Sequence, residues 1–197
     1  MLNDKKKYIN LLKNFNKGMK TKKILASLFA LMVVVACKDN KETEAAETKV
    51  AEQPKETFKV AFDLIIKKDD SLQLYFKDET MKDWVFDKCV TTVVKGSDNV
   101  QKVEFALPED MMPTELRFDF GSNKEQEEIQ IKNFKMQYFQ KSFEAKDTLF
   151  YQYFIPNEYI DYNRNQAIAK PKVVNGNYDP FAFSREVLTT QIQNIIK

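Results

Sequence analysis

After residue 57, apolar residues occupy every second position over much of the chain, with polar residues between them. The segment FKVAFDLII (58–66) carries apolar residues at its even-numbered positions. Alternation recurs at LQLYF (72–76), VQKVEFAL (100–107) and TELRFDF (114–120), and the β-branched run CVTTVV (89–94) is also typical of a strand. A period of two is typical of a β-strand with one buried face. The polar run between the first two segments indicates a turn, so we expect them to pair as a hairpin.

The segment EEIQIKNFKMQYF (127–139) contains a break in this alternation. Ile129 and Ile131 are separated by one polar residue, the phase slips by one at Asn133, and Phe134 resumes the pattern. One extra residue in a strand shifts its inward-facing set in this way, so the slip predicts a β-bulge.

The last third of the chain mixes strand and helix signals. DTLFYQYFIP (147–156) is apolar on both faces and predicts a central strand, whereas 157–181 indicates a loop with one short strand. From Ser184, a predicted N-cap, one helical face is apolar: Val187, Leu188, Ile192, Ile195 and Ile196. About seven short strands and one terminal helix predict an all-β fold, an antiparallel, jelly-roll-like β-sandwich spanning 58–197.

The segment LRFDFGSNKEQEEIQIKNFKM (116–136) carries a resemblance. It is similar to a segment of the jelly-roll, galactose-binding-like sandwiches found in bacterial carbohydrate-binding modules. The resemblance implies a fold and an expectation of glycan binding. Such modules often hold a structural calcium, but this sequence shows no clear acidic cage, and we expect neither metal nor cofactor.

The amino-terminal region has the pattern of a targeting segment. MKTKKILASLFALMVVVAC (19–37) has three lysines followed by a 13-residue apolar run, 24–36. A bilayer span needs about 20 residues, so the run predicts a secretory signal peptide over 1–36, with an uncleaved anchor as the alternative. Residues 1–18 would make an unusually long leader, and we expect Met19 to be the true start.

Val34-Val35-Ala36-Cys37 closes the apolar run and resembles the lipobox of bacterial lipoproteins. The resemblance implies acylation of Cys37, cleavage before it, and a lipid-anchored protein of the cell envelope. Residues 37–57 then form a tether that we expect to be disordered, because KDNKETEAAETKVAEQPKET has few apolar side chains to bury.

The net charge of +2 hides an asymmetry. Residues 1–36 contain eight lysines and one aspartate, whereas residues 38–197 contain 23 basic and 28 acidic residues. The processed protein is therefore mildly acidic, which argues against nucleic acid as a partner.

Trp84 is the single tryptophan of the chain and lies between Asp83 and Asp87. An indole face can stack on a sugar, and the carboxylates can accept hydrogen bonds from its hydroxyls. The alternative, which we favour, is that Trp84 is a core residue.

Arg117 and Asp119 project from the same face of one predicted strand and could grip a polyol, but a cross-strand ion pair on a solvated sheet face is the favoured interpretation. Asn123 follows as a further candidate for glycan binding, with turn formation as its alternative. The aromatic segments 150–162 and 175–181 could form a platform, but we favour a lid.

Catalysis has little support in this sequence. Histidine is absent, and no motif places two carboxylates or activates a serine or cysteine. Cys89 has no partner once Cys37 is acylated, and we expect a buried free thiol. The sequence thus predicts a membrane-anchored, non-enzymatic lipoprotein that binds polysaccharide. The alternative is a structural or protein-interaction subunit of an envelope complex, and a hydrolase is a distant third.

Overall fold

The alternating segments form two antiparallel β-sheets that pack face to face. The computed structural model describes residues 56–197. The predicted signal peptide (1–36), the predicted acylation site Cys37 and all but the last two residues of the predicted tether (37–57) lie outside the described residues. The β-sandwich prediction is confirmed.

Eleven strands are present in the described part of the chain. Their bounds are β1 Lys59–Ile66, β2 Asp70–Lys77, β3 Cys89–Val94, β4 Ser97–Ala106, β5 Glu115–Asp119, β6 Ile129–Tyr138, β7 Lys141–Lys146, β8 Phe154–Pro156, β9 Ile160–Asn163, β10 Ile168–Pro171 and β11 Phe181–Ser184. The first sheet has the order β4-β1-β6-β10-β9, with β7 also paired to β6, and the second has the order β3-β2-β5-β11-β8.

Phenylalanine rings from both sheets meet in the core. Phe62 on β1 stacks on Phe118 on β5 with ring centroids 4.0 Å apart, which joins the two sheets directly. Phe134 and Phe154 pack edge to face beside this pair. These rings are fully buried, so the inward faces predicted from the alternation are the faces that close the sandwich.

The predicted hairpin between the first two strands is wrong. β1 pairs with β4 and β6, whereas β2 pairs with β3 and β5 in the other sheet. Both strands still turn one apolar face toward the same core. The turn after Ile66 therefore carries the chain from one sheet to the other, because burial of a face does not specify a hydrogen-bonded neighbour.

The predicted bulge is confirmed. Asp63 faces Asn133 and Leu64 faces Ile131, so Lys132 is the extra residue. The slip keeps Ile131 and Phe134 buried on the same side of β6.

The predicted central strand at 147–156 is wrong for most of its length. Asp147–Leu149 form a 3-10 turn, Phe150–Tyr153 form a short helix, α1, and only Phe154–Pro156 is a strand, at an edge of the second sheet. Phe150 and Phe154 are buried one helical turn apart. A run that is apolar on both faces suits a buried helical turn as well as a buried strand. The following region holds β9 and β10, one strand more than expected.

The carboxy-terminal helix, α2, spans Glu186–Ile196. Arg185 rather than Ser184 is its N-cap, because the Ser184 hydroxyl accepts a hydrogen bond from the Leu116 N–H, at 2.9 Å, in the neighbouring strand. Among residues 56–197, no helix is long and apolar enough to span a bilayer.

The register defines two ends of the sandwich. Lys59 faces both Ala106 and Gln137, so β1 begins where β4 ends and where β6 approaches its last residue. We call this the proximal end; it also carries the β2–β3 loop (78–88) and the turn between β6 and β7. The opposite, distal end carries the β1–β2 turn and the β5–β6 loop.

Candidate functional site

The outer face of the second sheet carries an unusual set of rings and charges. Pairing places Tyr75, Arg117 and Phe183 in one row across β2, β5 and β11, and places Gln73, Asp119 and Phe181 in the next row. We call these six residues, together with Trp84, the platform. Their neighbours in each strand point inward, so the alternation that builds the core also sets the platform on the opposite face.

Arg117 and Asp119 form a bidentate pair at the centre of the platform. Arg117 Nε donates to Asp119 Oδ1 at 2.7 Å, and Nη2 donates to Oδ2 at 2.8 Å. Nη2 also donates to Asp179 Oδ1 at 3.2 Å. Two parallel hydrogen bonds fix the plane of the guanidinium, so both groups have a defined orientation.

Three rings surround the guanidinium. Arg117 Cζ lies 3.7 Å from the ring centroid of Phe181, 5.1 Å from that of Tyr75 and 5.9 Å from that of Phe183. Cation–π attraction adds to the ion pair at these distances. The Arg117 and Asp119 side chains are only 13% and 11% exposed. Both residues do take part in an ion pair, but the pair forms within β5 and not across strands, and the expected solvation is wrong because the rings cover it.

This shielding changes the acidity of Asp119. Burial raises the pKa of its carboxyl to about 6, and the nearby Asp179 carboxylate also raises it, while the hydrogen bonds from Arg117 act in the opposite direction. The loss of hydration on burial raises the pKa of Asp119 by more than the ion pair with Arg117 lowers it. The group is therefore charged at neutral pH and takes up a proton in mildly acidic solution.

Trp84 lies on this outer face and not between the sheets. Its ring centroid is 5.3 Å from that of Phe183 with the planes tilted by 30°, and Lys77 Nζ lies 5.5 Å from the indole centroid. The Lys77 ammonium is itself paired with Glu115 at 3.0 Å. Trp84 is half-buried and lies outside the buried core cluster, so the favoured prediction of a core residue does not describe its position.

The other predicted site residues do not join this arrangement. Asp87 is exposed in the same loop as Trp84. Asn123 Oδ1 accepts from the Glu125 N–H, and its Nδ2 donates to the Asp69 carbonyl, so its side chain orders the β5–β6 loop. The turn interpretation fits Asn123 better than a binding role.

Sequence reasoning missed the contribution of Tyr75, Phe183 and Asp179, and it assigned Phe181 to a lid. The alternation in PFAFS (180–184) was the local signal for a strand with outward rings. The local pattern does not reveal that β11 pairs with β5. This pairing places Phe181 against Arg117, although the two residues are 64 positions apart in the sequence.

Outside the platform, the described residues include a free cysteine and line a cavity. Cys89 is a half-buried free thiol beside Gln73, whose Nε2 lies 3.8 Å from its Sγ. Within the described range, no three His, Cys, Asp or Glu side chains gather as a metal site. A cavity of about 510 Å³ lies at the proximal end, lined by Asp78, Glu79, Asp110, Thr114, Gln193 and Lys197.

Comparison with known proteins found no matching family model, curated protein or solved structure.

Proposed function

We propose that this protein is a membrane-anchored, non-enzymatic protein of the cell envelope that binds a glycan across the platform. The observation that carries the proposal is the enclosure of the Arg117–Asp119 pair by rings, with Trp84 laid beside them. The anchor rests on the lipobox-like segment that ends at Cys37.

The platform offers both kinds of contact that a sugar needs. Aromatic faces such as Trp84 and Phe183 pack on the C–H faces of a pyranose. The Asp179 carboxylate, whose side chain is 57% exposed, accepts hydrogen bonds from the sugar hydroxyls, while Arg117 and Asp119 contribute only through the narrow edge that the rings leave open. Because the guanidinium and the carboxylate already fix each other, little side-chain freedom is lost when a ligand binds.

The platform is an open sheet face rather than a pocket. An open face suits an extended polysaccharide that lies across several strands, because each sugar can make a few contacts while the chain continues in both directions. An enclosed pocket is instead typical of small ligands.

The charges of the platform favour a neutral glycan. Asp119 and Asp179 both neutralise Arg117, and Glu115 neutralises Lys77. A carboxylated or sulfated sugar would meet three carboxylates and two cations, whereas a neutral sugar needs no counter-charge. We therefore expect neutral polysaccharides to bind and uronic-acid polymers to be excluded.

The test is affinity electrophoresis of the chain through gels that contain neutral or acidic polysaccharides, followed by a glycan array. We expect retardation by a neutral polysaccharide, at least a tenfold loss of affinity in Trp84→Ala and in Asp119→Asn, and no change in Phe86→Ala. Phe86 is the matched control because it is an exposed ring of the same loop, two residues from Trp84.

Thermal unfolding of each variant separates loss of a binding surface from loss of the fold. Wild-type chain that binds no glycan, or variants that bind as well as wild type, would overturn the proposal.

The edge strand β3 favours a second candidate function, a protein-interaction subunit. β3 pairs with β2 on one side only, and Val93 is largely exposed. On the other side, Thr92 Oγ1 donates a hydrogen bond to the Glu104 carbonyl of β4, at 3.0 Å. An exposed edge can receive a strand from a partner. We expect Val93→Lys to weaken the association with such a partner and to leave glycan binding unchanged. Sedimentation of the complex that co-purifies with the wild-type and variant chains would measure the loss of association.

A further inference from the structure

Two exposed phenylalanines lie on different loops at the proximal end. Phe86, in the β2–β3 loop, is 81% exposed, and Phe139, in the β6–β7 turn, is 56% exposed. Val85 beside Phe86 is exposed as well. Among the exposed large hydrophobic residues in the described range, Phe86 and Phe139 are the two phenylalanines, and at this exposure they contribute little to the core.

Phe139 also has an unfavourable backbone for its residue type. The turn between β6 and β7 consists of Phe139 and Gln140, and Phe139 has a φ of 49°. Asparagine or glycine adopts this left-handed conformation more readily than a bulky ring does. The Phe139 ring touches Tyr138 at a centroid distance of 4.6 Å but stays more than half exposed. Folding alone therefore does not explain a phenylalanine here.

The position of the tether identifies what these rings meet. The described sheet starts at the proximal end, where the Leu107 N–H donates to the Phe58 carbonyl at 2.9 Å. Twenty residues separate Cys37 from Phe58. Twenty residues span at most about 70 Å when the backbone is fully extended. An acyl group on Cys37 would thus keep the proximal end within reach of the bilayer.

The charges around Phe86 indicate which kind of membrane surface is suited. The β2–β3 loop (78–88) contains two lysines and four acidic residues, so it carries a net charge of −2. Attraction to anionic lipid is then weak, and apolar contact with the boundary between headgroups and acyl chains remains. Two rings suffice for such contact when a tether already holds the domain at a high local concentration.

We propose that the proximal end docks on a zwitterionic lipid surface through Phe86 and Phe139. This inference rests on the proposed acylation of Cys37. Docking sets the strands across the bilayer plane, so that the platform faces sideways, along the membrane surface, with Trp84 on the side nearest the lipid.

The chain contains its own probe for this geometry, because Trp84 is its single tryptophan and lies two residues from Phe86. The acylated chain is reconstituted into phosphatidylcholine vesicles whose acyl chains carry bromine, which quenches tryptophan fluorescence at short range. We expect strong quenching in the wild-type chain and loss of at least half of it in the double variant Phe86→Ser, Phe139→Asn.

Asparagine suits the left-handed turn at position 139, so the double variant keeps its hairpin. The matched control is Val173→Ser, at an exposed residue in the β10–β11 connection, and it should be quenched like wild type. Unquenched wild-type fluorescence, or equal quenching in the double variant, would overturn docking. If the chain shows no quenching but forms dimers at higher concentration, and if these dimers require both rings, membrane docking is overturned. The surface would then be an interface with a second copy of the chain.

A separate measurement distinguishes failure of the anchor from failure of docking. The mass of the purified chain shows whether Cys37 carries acyl groups. If it does not, the anchor proposal fails, and chain from Lys38 onward is held on the same vesicles through six added histidines and a chelating lipid. Quenching that depends on Phe86 and Phe139 in this arrangement supports docking, and quenching that ignores them overturns it.

Discussion

The carboxylate of Asp70 occupies the space that a side chain at Gly121 would need. Gly121 has a φ of 106°, and a Cβ placed on it would lie 2.3 Å from Asp70 Oδ1. The same Oδ1 atom accepts the N–H groups of Ser71 and Ser122, each at 2.8 Å. The loop after β5 is therefore clamped to the start of β2 at the distal end of the sandwich.

Gly121→Ala should lower the free energy of unfolding by about 2–4 kcal/mol, because the new methyl group meets the Asp70 carboxylate in a backbone conformation that alanine avoids. Urea denaturation measures the change. Gly176→Ala is the matched control: Gly176 has a φ of 80°, but nothing lies within 4 Å of its added Cβ. The control should lose only about 1 kcal/mol. Equal losses at the two positions would contradict the clamp.

Phe118→Ala should cost about 3–5 kcal/mol of unfolding free energy, because Phe118 is fully buried and stacks on Phe62 across the two sheets. Phe86→Ala removes the same number of atoms from an exposed ring and should change stability by no more than about 0.5 kcal/mol. Equilibrium denaturation of both variants checks the contrast. A large loss at Phe86 would mean that its loop packs differently.

Trp84→Ala should cost about 1–2 kcal/mol, since the indole is half-buried against Phe183 on the outer face. The value should fall clearly below that for Phe118→Ala, measured under the same conditions. A loss as large as that of Phe118→Ala would return Trp84 to the core role that its sequence context favours.

Asp119 should make stability depend on pH in mildly acidic solution. Its carboxyl has a pKa of about 6 in the folded chain against an ordinary 3.8, so the folded state binds the proton more tightly. The stabilisation from that proton is complete below pH 3.8 and is lost as pH rises through 6. As the pH rises between these limits, the unfolding free energy of the wild-type chain should therefore fall by about 1–3 kcal/mol relative to that of Asp119→Asn.

Denaturant midpoints of both chains, taken at intervals across this pH range, measure the effect. Asp69→Asn is the control: a hydrogen bond from Lys95 lowers the pKa of that exposed carboxyl, so any pH-dependent difference between this variant and wild type should have the opposite sign. A difference between wild type and Asp119→Asn that stays constant with pH would show that burial does not raise the pKa of Asp119.

The sequence predicted features that depend on one segment at a time. Alternation located the strand at 58–66 and its buried face, and a phase slip located the bulge at Asn133, because both follow from side-chain direction within a strand. The partner of that strand was mispredicted, since several apolar faces compete for one core. The segment 147–156 was mispredicted because apolar residues on both faces fit a buried helical turn equally well.

The same distinction applies to the platform. Arg117 and Asp119 were recognisable as neighbours on one face of a strand, although the ion pair expected there was a cross-strand one and the observed pair joins the two residues to each other within β5. Their shielding depends on Phe181 and Phe183, which reach them only through the pairing of β11 with β5. Burial at this site is a property of tertiary structure, so neither the raised pKa of Asp119 nor the enclosure of Arg117 could be inferred from local pattern.

The place of β11 in the second sheet has a consequence for how the protein matures. β11 is the last strand along the chain, yet it lies between β5 and β8 and carries two of the rings around Arg117. A chain that emerges amino end first can pair β1 with β4 and β2 with β5 early, but it cannot enclose Arg117 until Phe183 has appeared. The platform is thus assembled last, and incompletely made chains present an uncovered arginine in place of a finished surface.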